Sequence, residues 1–318
     1  MSPIPGLHHV TAIAGDPQGN ADFYVSLLGL RLVKRTVNFD DPTTYHLYYG
    51  DQVGTPGSIL TFFPWLGAPR GTRGTGQTTA TAFAVPTGSL DWWMDRLAGS
   101  AVEFEAVQER LEERVLPLKD PDGLSIELVE RREVTGRGWW KDGPVPAPYA
   151  IRGFHGVTLT VEGYERTAAL LTEVMGFRPA GGENNQFRYG TEHDAPGATV
   201  DVVCAPGLRA GRVAAGTVHH IAFRCASDEE QVAWRSRIAA AGMNVTPIMD
   251  RQYFRSIYFR EPGGVLFEIA TDPPGFTRDE TPEELGMALK LPPWLEPRRA
   301  YIEGRLPHLR APAVTRAI

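Results

Sequence analysis

Residues 6–50, GLHHVTAIAGDPQGNADFYVSLLGLRLVKRTVNFDDPTTYHLYYG, and residues 153–190, GFHGVTLTVEGYERTAALLTEVMGFRPAGGENNQFRYG, are built to one plan. Each opens on an alternating strand pattern, passes into an amphipathic helix and ends it at a glycine, Gly29 or Gly176, suited to a left-handed cap. Further strand patterns follow. A second pair repeats the plan. Residues 78–99, TTATAFAVPTGSLDWWMDRLAG, close with DPDGLSIELVE at 120–130; residues 217–242, TVHHIAFRCASDEEQVAWRSRIAAAG, close with EPGGVLFEIAT at 261–271. Ser227 with Glu230 three residues on predicts a capping box, and Gly242 marks the helix end. The chain therefore reads as an α+β protein of four β-α-β-β-β modules, at about 6–66, 78–131, 152–205 and 217–271. Two modules per half predict an N-terminal domain over 1–150 and a C-terminal domain over 151–318. The joints read as loops at 69–77, 136–150 and 205–216, and a tail over 272–318, rich in Pro and charge, is expected to wrap the surface.

Composition agrees with this plan and narrows the function. The 318 residues make roughly two domains of ~150 residues. The 34 Gly and 26 Pro are spread without a short period, as many short strands and turns require. A net charge of −6 argues against a nucleic-acid or membrane-surface partner. No apolar run approaches the ~18 residues of a membrane span, and the start MSPIPGLHHV lacks a signal-peptide pattern. Two cysteines, Cys204 and Cys225, cannot build a thiolate zinc cluster or a disulfide framework, so a reducing cytoplasm is expected.

The repeats allow positions to be compared within the chain. In the four opening strands one position holds His9, Ala80, Gly156 and His220; in the four closing strands one position holds Thr61, Glu127, Asp201 and Glu268. In modules one and three the second match could slip by a residue. Two imidazoles and a carboxylate on neighbouring strands, His9, His220 and Glu268, suit a divalent metal. Such a facial triad leaves positions open for a substrate and O₂, as non-haem Fe(II) chemistry requires. Glu268 stands in an apolar strand, where a carboxylate is costly unless paired or bound to metal. Glu127 stands in similar company without histidines opposite, and is expected to face solvent or an arginine. One live site and one dead site are expected.

At these residues the chain resembles the vicinal oxygen chelate superfamily of glyoxalases and extradiol dioxygenases, and within it the dioxygenases that open hydroquinone rings. The resemblance rests on LHHVT at 7–11, YHLYYG at 45–50 with GTPG at 54–57, HHIAF at 219–223, EPGGVLFE at 261–268, and GFTRDE at 275–280 with LGM at 285–287. It spans about residues 6–292 and implies the glyoxalase/bleomycin-resistance/dioxygenase fold, with the modules paired into two open, barrel-like cups. It implies that His9, His220 and Glu268 ligate iron, with Mn(II) as a variant. It also places His8, His219, Thr11, Arg251 and Tyr258 at positions that support the ligands or contact the substrate. From the residues alone, His8 and His219 serve a backbone hydrogen bond equally well, and Tyr258 core packing. Adjacent strand residues point to opposite faces, so His8 and His219 reach the site only through a twist or bulge.

Ligands drawn from the first and last modules predict that those two pack together, leaving modules two and three as partners. The expected activity is an Fe(II)-dependent dioxygenase that opens an aromatic diol, in a cytoplasmic enzyme that could be a homodimer. The alternatives are a glyoxalase-like lyase or isomerase using Zn(II) or Ni(II), for which Thr61 sits where a second carboxylate would be needed, and a non-enzymatic binder of aromatic compounds or antibiotics. The pairs Trp92-Trp93 and Trp139-Trp140 could line a pocket or the core.

Overall fold

A computed structural model describes residues 3–132, 134, 137–191 and 196–312. Module one runs β1 (Leu7–Ala14), α1 (Pro17–Ala21), β2 (Arg31–Val37), β3 (Tyr45–Gly50) and β4 (Ile59–Pro64). Module two runs β5 (Gln77–Pro86), α2 (Leu90–Ala98), β6 (Gln108–Arg110), β7 (Glu113–Lys119) and β8 (Ser125–Arg131). Module three runs β9 (Phe154–Val161), α3 (Glu165–Ala169), β10 (Arg178–Glu183), β11 (Gln186–Gly190) and β12 (Thr199–Cys204). Module four runs β13 (Thr217–Cys225), α4 (Asp228–Ala240), β14 (Met249–Asp250), β15 (Arg255–Arg260) and β16 (Leu266–Thr271). The tail adds α5 (Arg299–Glu303). In modules one and three the helix continues into a π-helical turn, Asp22–Leu27 and Leu170–Val174, before Gly29 (φ 71°) and Gly176 (φ 83°) end it in the left-handed region. At α4 the Ser227 hydroxyl accepts from Glu230 N–H, while the Glu230 carboxylate reaches back to Ala226 N–H, one residue earlier than a standard capping box.

The strands form two curled sheets of eight, β14-β15-β16-β13-β1-β4-β3-β2 and β10-β11-β12-β9-β5-β8-β7-β6. The first joins modules one and four through the antiparallel pair β1–β13; the second joins modules two and three through β5–β9. Each sheet thus takes one module from each half of the chain, as the ligand positions implied. The central strands β1 and β4 are buried along their whole length, because the curled sheet meets the core on one face and a cup interior on the other.

Register removes the ambiguity left by the repeats. Thr61 pairs with Thr11, Glu127 with Ala82, Asp201 with Thr158 and Glu268 with Ala222, each two residues beyond the matched opening position. The four modules are therefore in step, with no slip.

The tail does more than wrap the surface. Lys290 N–H donates to Arg35 O along the β2 edge, and Phe276 packs on Tyr48 and Tyr253 (ring centroids 5.0 and 5.3 Å) beneath the first cup. Lys34 of β2, fully buried, pairs with Asp279 at 2.6 Å and with Glu280, fastening the GFTRDE segment from below. Trp92, Trp93 and Trp139 belong to packing, whereas Trp140 packs on the core and also borders a separate cavity beside Arg31 and Leu32. Trp93 is buried and donates to Tyr149 O, Trp92 stacks on Tyr149, and Trp139 lies under the Arg152 guanidinium.

Candidate metal centre and active site

Three donor atoms converge in the cup of the first sheet. His9 Nε2 and His220 Nε2 are 3.4 Å apart, and they lie 3.3 and 3.0 Å from Glu268 Oε2. All three residues are buried. Donors at ~2.1 Å from a common ion at right angles would stand ~3.0 Å apart, so the triangle fits one face of an octahedron. Glu268 Oε1 is already taken by the Ser256 hydroxyl at 2.5 Å, whereas Oε2, buried, has no protein donor in good hydrogen-bonding geometry. Burial alone would raise the Glu268 pKa, but His9 and His220 outweigh it and hold the group ionised, well below the usual carboxylate range. An anion beside two imidazole nitrogens, with one oxygen unclaimed, is a set these residues can close around a divalent cation.

The double histidines arise from two bulges in the β1–β13 pair. Leu7 faces Phe223 and His9 faces Ala222, so His8 is an extra residue; Thr11 faces His220 and Ala12 faces Val218, so His219 is the extra one on the other strand. Each bulge turns consecutive side chains toward one another. His8 Nδ1 meets His9 Nδ1 at 2.9 Å, and His219 Nδ1 meets His220 Nδ1 at 2.7 Å. An imidazole that offers Nε2 to a metal carries its proton on Nδ1; in that tautomer His9 and His220 would donate to His8 and His219. Acceptors must be neutral, and they are: burial and the adjacent His9 push His8 well below the ordinary histidine pKa, and burial and His220 bring His219 to about 3. Burial also lowers His220, against the pull of Glu268.

A cavity of about 320 Å³ opens on the two ligand histidines and is lined further by Arg251, Tyr258, His219, Phe63 and Phe254. The structure thus brings His219, Arg251 and Tyr258 to the cavity wall. It leaves His8 and Thr11 behind that wall, Thr11 bonded to Thr61 at 2.9 Å. Tyr258 lies opposite Glu268 across the strand pair and packs edge-on to His220. Arg251 Nε–H donates to Tyr258 Oη at 3.3 Å, and its Nη1 pairs with Asp40 at 3.0 Å. Burial, then the Glu268 charge, raise the Tyr258 phenol, so it remains a proton donor.

Sequence reasoning overlooked Ser256, Asp40, His46 and Tyr48. A signal for three of them was present: superposing the third strands of modules one and four, YHLYYG on RSIYFR, pairs His46 with Ser256 and Tyr48 with Tyr258. Asp40 lies in the loop before β3, where no repeat guides the eye.

The second cup is closed by ion pairs. Arg110 takes Glu127 with two hydrogen bonds (3.0 and 2.6 Å), and Arg188 takes Asp201 (2.7 and 2.8 Å). Glu113 joins Arg188 and Arg131, both at 2.6 Å, and lies 3.2 Å from His155. Arginine forks occupy the carboxylates a metal would need.

The fold and the His-His-Glu centre define the class. The chain belongs to the Glyoxalase/Bleomycin resistance protein/Dioxygenase superfamily, whose family model matches residues 6–128 and 153–269. It is 50% identical over 303 residues, 95% of its own length and 96% of the relative's, to a Bacillus subtilis (strain 168) protein named "Putative ring-cleaving dioxygenase MhqO". It is 38% identical over 301 residues to the chlorohydroquinone/hydroquinone 1,2-dioxygenase of Sphingobium indicum, covering 92% of this chain and 93% of that one. Among solved structures, glyoxalase I of Zea mays shares the fold (TM-score 0.62, 14% identity, 84% of this chain and 92% of that one). Among the described residues no helix is long and apolar enough to cross a membrane.

Proposed function

We propose that the chain is an Fe(II)-dependent dioxygenase that opens the ring of a hydroquinone-type diol. The observation that carries this reading is the donor triangle of His9, His220 and Glu268 at the floor of a cavity with aromatic walls. The names of its relatives point the same way. The fourth corner of the centre, where a glyoxalase-like site needs a second carboxylate, holds Thr61, whose hydroxyl is engaged by Thr11 and His46.

A metal in this triangle would lower the pKa of a substrate hydroxyl and hold O₂ beside the ring. The remaining work falls to the chain itself. Phe63 and Phe254 flank the cavity and keep bulk water from the ring. Arg251, a permanent cation at the cavity wall, is placed to stabilise negative charge on a substrate oxygen. Its Nε–H occupies the Tyr258 oxygen, which leaves the phenol proton free to be given to the cavity. His219, neutral and bordering the cavity, holds the His220 proton.

Oxygen uptake by anaerobically Fe(II)-loaded protein should be measured with hydroquinone, methyl- and chloro-hydroquinone and catechol, beside Mn(II)- and Zn(II)-loaded controls. One metal per chain and uptake on hydroquinones are expected. Absence of uptake with every diol overturns the reading, and stoichiometric retention of Zn(II) or Ni(II) in preference to iron, without uptake, would favour the lyase or isomerase alternative.

A further inference from the structure

The side of the cup opposite Glu268 is filled by a hydrogen-bond chain. Tyr48 faces Thr61 across β3–β4 as Tyr258 faces Glu268 across β15–β16, and both tyrosines line the cavity. Their hydroxyls are held differently. Tyr258 Oη receives an Arg251 N–H, so its own proton can only be given away from the arginine. Tyr48 Oη meets His46 Nδ1 at 2.8 Å, His46 Nε2 meets Thr61 Oγ1 at 2.8 Å, and Thr61 Oγ1 meets Thr11 Oγ1 at 2.9 Å. Each of these groups can donate or accept. Burial, with smaller pushes from His9 and His220, keeps the His46 imidazole neutral, so it carries a single ring proton.

One proton on such a ring allows two arrangements. With the proton on Nε2, Tyr48 donates to Nδ1 and its oxygen accepts from the cavity. With the proton on Nδ1, His46 donates to Tyr48 and the phenol proton turns into the cavity.

We infer that Tyr48, backed by His46, binds the diol hydroxyl that is not at the metal centre and takes its proton. This rests on the dioxygenase reading of the same cavity. The proton leaves the substrate O–H for Tyr48 Oη, and the Tyr48 proton passes to His46 Nδ1. The electron pair of the O–H bond stays on the substrate oxygen. The imidazole, still protonated at Nε2 and bonded to Thr61, becomes the cation, and the new oxyanion is left facing the Tyr48 proton. A weak base suffices once ring electron density has passed to O₂, the co-substrate under the dioxygenase reading, because the remaining O–H of an electron-depleted ring is strongly acidic. The proton returns along the same path when product leaves. Tyr48 is thus a catalytic residue and His46 its proton acceptor, on the side of the site where the symmetry-related carboxylate is missing.

Two measurements test this. In Fe(II)-loaded protein, Tyr48→Phe and His46→Asn should each lower kcat ~10²-fold with iron content little changed, and Tyr48→Phe, which loses the hydroxyl that holds the diol, should also raise KM. The double variant should be no slower than the worse single one, since the two act in series. Native kcat in either variant, or losses that multiply, overturn the relay. The second readout needs no turnover: ¹⁵N resonances of the histidine rings in Zn(II)-loaded protein under anaerobic conditions, with hydroquinone as the probe. His46, identified by its absence in His46→Asn, should settle in the neutral Nε2-protonated tautomer on adding hydroquinone, with Nδ1 accepting from Tyr48, and should lose that preference in Tyr48→Phe. A His46 that carries its proton on Nδ1 in the hydroquinone complex cannot accept from Tyr48 and overturns the relay whether or not the protein consumes O₂. Failure of O₂ uptake alone counts against the dioxygenase reading.

Discussion

Replacing His8 or His219 by Phe keeps an aromatic ring in each bulge and removes the nitrogen that accepts the ligand's Nδ1 proton. The hydrogen bond broken is His8–His9 at 2.9 Å in one variant and His219–His220 at 2.7 Å in the other. An unpaired buried N–H costs ~1–3 kcal/mol. The ligand can escape that cost by moving its proton to Nε2, where it points at the metal. Either variant should therefore bind metal ~10–100-fold more weakly, about 1.4–2.8 kcal/mol. A second observable separates the two. His219 borders the cavity and His8 does not, so His219→Phe should also raise KM for the diol once metal is saturating, and His8→Phe should not. The assay is competition with a chromophoric chelator for affinity, followed by oxygen uptake at saturating Fe(II). Native metal affinity in both variants would refute the tautomer role, and equal changes in KM would refute the difference in position.

Other expectations follow from the same structure. Lys34→Met leaves Asp279 and Glu280 facing one another without their cation. It should cost ~3–5 kcal/mol in chemical denaturation, and a loss of under ~1 kcal/mol would mean that the carboxylates find water instead. Arg188→Leu strips Asp201 and Glu113 of a shared partner in the second cup. It should lower the denaturation midpoint while metal content stays native, and metal loss would show that the two sheets are coupled. Stability of the metal-free chain should fall on acidification, the buried imidazoles outweighing Asp120, whose carboxyl burial raises to about 6. His8, His46, His219 and His220 have pKa values lowered by folding, so the unfolded chain binds more protons below the ordinary histidine value of 6.5. Stability should then be flat above about 6.5 and fall as pH drops beneath it. It should fall more steeply below about 4.5, where unfolded Glu268 protonates and the native carboxylate resists. Equal melting temperatures at pH 7 and pH 5 would contradict the burial of these imidazoles as neutral rings.

The grouping of His9, His220 and Glu268 was legible because duplication turns one chain into its own comparison. His9 and His220 stand in matched strands, and the register shows Glu268 two residues beyond the matched position on the adjacent strand. Arg251 and Tyr258 were reachable only through family resemblance, since the turn at Pro262-Gly263-Gly264 breaks the parity that could have tied Tyr258 to Glu268. The neighbours His8 and His219 were placed near the site but with a different task in mind. A bulge is a property of two strands together, and neither HHV nor HHI shows on which residue the extra count falls. His46 and Tyr48 were passed over because each looks like ordinary strand filling until the module-one strand is laid on that of module four.

The sequence by itself determined the four modules, their helix caps and turns, and the residues available to hold a metal, because period, glycine placement and repetition are local properties of a chain. The ligand positions anticipated which modules pack together; only the tertiary structure decided how they join, through antiparallel β1–β13 and β5–β9 pairs whose register and bulges link residues more than half a chain, or about a quarter of a chain, apart. It also decided that Glu268 keeps an unclaimed oxygen toward two imidazoles while Glu127 and Asp201 are consumed by arginines. The physical reason is the same in both cups. A buried carboxylate must be compensated, and whether an arginine or a pair of histidines stands within reach depends on how strands distant in sequence curl around it.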